Sequence, residues 1–244
     1  MADYEEEFST KLSLQKFINV CKNLTAKQIS LVKDIGFGNL LDLCCTELPR
    51  TLVRWLVRYF ESSTNCFNLP GGFSFILNSY TVHRILGIPI GGRNIPKKCS
   101  QSLREQLKIE TKCAGHSPSI KEMIDLLTPP QDEGTPDLLG DQFQRIFVMF
   151  ATAVFLCPTT YECISPDYLA ALEGPTTDIS TYDWSGATLE KLVSSIKTYK
   201  QKEFTGALCG CLIIPVVSLS TLLPTLFVPA SALTVDRVII CLCR

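Results

Sequence analysis

The chain has 244 residues, 46% hydrophobic and 19% charged, which is enough apolar material for a real core and excludes wholesale disorder. Its 23 basic and 24 acidic side chains leave a net charge of −1, which excludes a general field for collecting nucleic acid but leaves room for a local basic patch. The opening MADYEEEFSTKLS is acidic and has no apolar run of the secretory kind. The 12 cysteines are therefore expected to be reduced thiols in a nuclear or cytoplasmic protein, behaving as small buried hydrophobes.

Residues 1–8 read as an acidic tail. In LTAKQISLVKDIGFG, Thr25 is an N-cap with Gln28 as its capping-box partner, and Gly36 ends the helix. Asn39 to Leu48 reads as a second short helix closed by Pro49. In PRTLVRWLVRYFESS, Leu52, Trp55, Leu56 and Tyr59 form an apolar stripe expected to face the core, with Arg54 and Arg58 beside it. CFNLPGGFSFIL reads as two strands around a Pro-Gly-Gly turn, with Phe73 and Phe75 alternating with Ser74. Asn78 or Ser79 caps a helix over YTVHRILG, stopped at Gly87 and barred from continuing by Pro89.

Residues 91–118 are polar, with a short charged helix expected near SLREQLKIE. Ser119 and Glu122 form a second capping-box pattern before IKEMIDLL. Residues 128–137, TPPQDEGTPD, read as a linker. Leu138 to Cys157 reads as a long buried helix, apolar on nearly every side. Ser165-Pro166 starts a short helix through Leu172 with proline at its first position. Asp183 caps WSGATLEKLVSSIKTYK, whose stripe is Leu189, Leu192, Val193, Ile196 and Tyr199. The fold class is mainly α: a compact multi-helix domain over residues 9–211 with one small β-hairpin near 66–77. An apolar tail follows at 212–244. Residues 204–235 carry no charge, long enough to cross a bilayer, but Pro215, Pro224 and Pro229 divide the run. A membrane anchor there is kept as an alternative.

Three kinds of chemistry have partial signatures in the chain. GIPIGG, Gly87 to Gly92, has the glycine spacing of a phosphate loop, but Arg93-Asn94 follows where Lys-Ser/Thr is required, and the run follows a helix instead of opening one. Cys44-Cys45, Cys209-x-Cys211 and Cys241-x-Cys243 are spaced too closely for ordinary zinc ligation, and Cys113-x-x-His116 with Cys99 lacks a fourth ligand. Cys209-Gly210 resembles the nucleophile of SUMO-type proteases, yet Glu203 stands where their oxyanion-hole glutamine belongs. Neither His83 nor His116 has the company of a catalytic base. The expectation is no catalysis, no metal and no cofactor.

Residues 31–95 resemble the plant mobile domain, a family also labelled aminotransferase-like. The resemblance is carried in order by LVKDIGFGNLLDL with Gly36-Phe37-Gly38, by Trp55 in LVRWLVRYF, by Thr64 to Gly72, and by Tyr80 to Gly92. Thr81 stands where that family usually has an acid. Asp183-Trp184 and Cys209-Gly210-Cys211-Leu212 resemble its later segments, and IIPVVSLSTLLP departs from it. The resemblance implies transposable-element origin, a nuclear context and an interaction role without established catalysis. No lysine presents itself for pyridoxal phosphate chemistry. Some members of that family are joined to SUMO-type proteases, so a remnant of such a protein is a further alternative. The expected contact residues are Arg54 and Arg58 on their helix, and Arg93, Lys97 and Lys98 in the loop after Gly92. A protein partner fits them, and nucleic acid is a weaker alternative. A solvated basic loop with no partner is the plainer reading of Arg93, Lys97 and Lys98.

Overall fold

Phe17, on helix α1 (Leu14–Lys22), is wholly buried and stacks on Phe150 and Phe155 at centroid distances of 6.0 and 4.8 Å. Both partners belong to the central rod of the molecule. The computed structural model describes residues 9–111, 113, 117–128 and 138–222. Within them lie helices α1, α2 (Ala26–Asp34), α3 (Arg50–Arg58), α4 (Ser79–Leu86), α5 (Gln101–Thr111), α6 (Ile120–Leu127), α7 (Gly140–Ala151), α8 (Trp184–Gln201) and α9 (Ile213–Leu222). The acidic tail, His116, linker residues 129–137 and residues 223–244 lie outside the described residues.

The central rod is α7 continued by a π-helical turn, Thr152–Leu156, and every residue from Phe143 to Leu156 is buried. A helix apolar on all sides must be surrounded. Helices α1, α2 and α6 pack around it. Polar side chains fix their positions: Gln144 donates to the Leu31 carbonyl at 3.0 Å, and Gln28 to the Leu138 carbonyl at 3.2 Å. Arg145, almost buried, pairs with Glu110 of α5 at 3.0 Å.

Caps define the helix starts. Thr25 with Gln28 and Ser119 with Glu122 form complete capping boxes. Asn78 caps α4 by accepting from the Thr81 amide at 2.8 Å, and Asp183 caps α8 by accepting from the Gly186 amide at 2.8 Å. Two expectations change. Only Gly38–Asp42 of the 39–48 segment coils, as a 3₁₀ turn, with an irregular stretch to Pro49. The core face of α3 is Val53, Leu56 and Val57, rotated from the expected stripe; Leu52 and Trp55 are half-buried and Tyr59 is exposed. The rotation follows from α9, an apolar helix that α3 packs against.

The hairpin is a three-stranded antiparallel sheet. Strand β2 (Phe60–Glu61) joins β3 (Cys66–Asn68), which pairs with β4 (Ser74–Ile76). Phe60, Phe67 and Phe75 stack in a row on its inner face. Phe73 lies in the turn and is 46% exposed. A second pairing closes the chain on itself: β1 (Ser9–Thr10) lies parallel to β5 (Ala207–Leu208). Leu212 through Ser220 are buried in the same core as the preceding helices, and α9 packs on α3 and α4. No described helix is long and apolar enough to cross a membrane.

Candidate functional site

Gly87 ends α4 in the left-handed conformation, φ 63°, with its amide donating to the His83 carbonyl at 2.7 Å. Any side chain there would strike Asn39. Gly92, φ 76°, abuts the Thr181 carbonyl so closely that a Cβ could not be accommodated. These glycines serve the path of the backbone.

Arg93 follows, and its main chain is held at both ends. Its amide donates to the Thr181 carbonyl at 3.0 Å, and its carbonyl accepts from the Asp183 amide at 2.8 Å. Its guanidinium donates to Thr181 Oγ1 at 2.7 Å, pairs with Asp178 at 3.2 Å and lies 4.7 Å from the Tyr182 ring centroid. A guanidinium over a ring, donating to a hydroxyl and paired with a carboxylate, is engaged within the protein. Arg93, Lys97 and Lys98 are all exposed, and of the three only Arg93 has an ion pair among the described residues.

Arg54 is half-buried and Arg58 exposed on α3. The Arg58 carbonyl accepts from Lys200 Nζ at 3.3 Å, and the Phe60 carbonyl does so at 2.7 Å, which fastens the end of α8 to the α3–β2 corner. No hydrogen bond or ion pair among the described residues joins the two arginines to Lys97 or Lys98. The five expected contact residues thus fall on two separate elements.

Lys97 lines a cleft of about 620 Å³ with Asn94, Asp167, Asp183, Glu190 and Lys191. Its charges are of both signs. A second cleft, about 580 Å³, adjoins it across Ser165, Lys191 and Ser194. One wall of the second cleft is the outer face of α8: Lys191, Ser194, Ser195, Thr198 and, just past the helix, Lys202. The opposite walls are residues 159–161, 163–166, 205–207 and 209. Sequence reasoning followed only the apolar stripe of α8. The complementary polar positions, recurring three, four, seven and eleven residues after Lys191, were the signal that could have found this wall.

Cys209 edges the second cleft. Burial pushes its thiol up, and Lys191, Lys11 and a hydrogen bond with Ser195 pull it partly back. The net rise keeps the thiol protonated at neutral pH, opposite to what a cysteine nucleophile needs. Cys157 and Cys211, both buried, are pushed up as well, Cys157 to about 11. His83 has Nδ1 2.7 Å from the Ile88 carbonyl, which also accepts from Ser185 Oγ at 3.2 Å, so its ring serves the α4–α8 junction. Among the described residues no group of three or more His, Cys, Asp and Glu side chains could hold a metal ion.

A family model described as a domain of unknown function, DUF8566, matches residues 10–216, from β1 into α9. The chain belongs to the DUF8566 family. No curated protein and no solved structure matches it. The DUF8566 match spans both clefts and the whole of α8. It also runs past Leu212, where the apolar tail was expected to begin.

Proposed function

We propose that this DUF8566 domain is a non-catalytic interaction module of transposable-element origin, acting in the nucleus on a protein partner. The origin and the setting rest on the resemblance to the plant mobile domain across residues 31–95. The interaction role is carried by one observation: Arg93 anchors the loop after α4, and the anchored loop sets Lys97 in the wall of the 620 Å³ cleft along α8. Opposed charges in one cleft, Lys97 and Lys191 beside Asp167, Asp183 and Glu190, suit a protein surface carrying both signs. A phosphate backbone would meet three carboxylates there, which disfavours nucleic acid. The raised Cys209 thiol and the engaged His83 support a non-catalytic reading.

Affinity capture from nuclear extract with the wild-type chain and with the Lys97→Glu, Lys98→Glu double variant tests it. The wild type should retain a defined protein that the variant loses. An identical set on both would contradict the reading.

A further inference from the structure

The geometry points to the second cleft, between α8 and the segments 159–166 and 205–209, as a docking groove for an extended acidic peptide. This deepens the interaction-module reading and rests on it, since it names the chemistry of the partner.

Three observations carry it. Among its described lining residues the only formal charges at neutral pH are the ammonium groups of Lys191 and Lys202, and neither has a carboxylate within ion-pair distance. The two lysines are eleven residues apart, which is three turns of helix, so they share one face about 16 Å apart. The hydroxyls of Ser194, Thr198 and Thr205 have already spent their protons, while Ser195 Oγ accepts from the Cys209 amide at 2.9 Å and keeps its own. Ser194 donates to the Lys191 carbonyl at 3.0 Å, Thr198 to the Ser194 carbonyl at 2.9 Å, and Thr205 to the Lys202 carbonyl at 2.7 Å.

The three committed hydroxyls favour one class of ligand. Hydroxyls whose protons are committed present lone pairs and act as acceptors. A phosphate group offers only acceptors, so it would find two ammoniums and a wall of oxygens facing it. A peptide backbone offers N–H donors to those oxygens, and acidic side chains answer the two ammoniums. An extended chain rises about 3.3 Å per residue with alternating side chains, so carboxylates four residues apart share a face about 13 Å apart, within reach of the two flexible lysine side chains. The volume, about 580 Å³, holds a segment of that length in part and leaves its ends in solvent. Tyr161 at the rim is 75% exposed and provides a ring for an apolar residue of the same peptide.

Fluorescence anisotropy with a fluorescein-labelled hexaglutamate peptide tests the inference, with hexalysine and a 12-nucleotide single-stranded DNA as comparison probes at the same salt. The full wild-type chain should bind hexaglutamate saturably, more weakly as salt rises, and should prefer it to both comparisons. Lys191→Gln with Lys202→Gln should weaken binding by about tenfold while circular dichroism stays unchanged. Lys16→Gln, on α1 and in neither cleft, should leave it within about twofold. Equal binding by the double variant, or a preference for the DNA, overturns the inference. If hexaglutamate fails to bind while capture through Lys97 persists, only the acidic-peptide assignment falls. If both fail, the interaction-module reading falls with it.

Discussion

Gly87 and Gly92 read as the glycines of a nucleotide loop until their neighbours are counted, and Arg93 explains what they serve. The sharp path from α4 delivers Arg93 onto Tyr182, Thr181 and Asp178, where its charge and its main chain are both used. The glycines and the caps were legible because φ preference and capping are local properties. The engagement of Arg93 was not, because its partners lie 85 to 89 positions further along the chain. The expected cysteine burial holds only in part: among the described residues Cys45, Cys157, Cys209 and Cys211 are buried, five others are half-buried and Cys44 is exposed. At Cys157 that burial raises the thiol from 9.0 to about 11. The unfolded chain then releases this proton near pH 9 while the folded chain keeps it to about pH 11, so folding stability is full below pH 9 and is lost as pH rises through 11. Urea midpoints between pH 8 and 11 should therefore fall less steeply for Cys157→Ala than for wild type. Equal slopes would show that this thiol carries no such linkage.

At the scale of elements, helix existence followed from periodicity and caps: α2, α4, α6 and α8 begin at the side chains that the sequence offered. The face of α3 did not follow, because it depends on α9. An isolated amphipathic reading places Trp55 inward, whereas an apolar helix packed alongside draws Val53 and Val57 inward instead. The same pairing explains why α9 itself is so apolar. A helix enclosed in the core has no polar face to spend. Its Pro215 falls in the first turn, where a missing amide costs little. Val216 is fully buried in α9, and Thr221 at the helix end is exposed. Val216→Asp should cost at least about 4 kcal/mol in urea unfolding, and Thr221→Asp under about 0.5 kcal/mol. Comparable losses at both positions would contradict the placement of α9 in the core.

At the scale of the whole molecule, the mainly α architecture could be read from the chain, because helix signals outnumber strand signals throughout. The closure of β1 on β5 could not, since two-residue strands leave no period to detect and their partners lie at opposite ends of the described chain. The two clefts were hidden for a related reason. Each is built from segments scattered between residues 94 and 209, and α8 is their common wall. One face of α8 is buried and the other lies between the two clefts, and the proposed interaction role places the partner there. Site-specific photo-crosslinking tests that claim most directly. A p-benzoylphenylalanine replaces Ser194, which lines both clefts, or replaces Lys16, an exposed residue of α1 that lines neither. In nuclear extract the Ser194 position should yield a discrete protein adduct that the Lys16 position does not. The same adducts from both positions, or none from Ser194, would contradict the account.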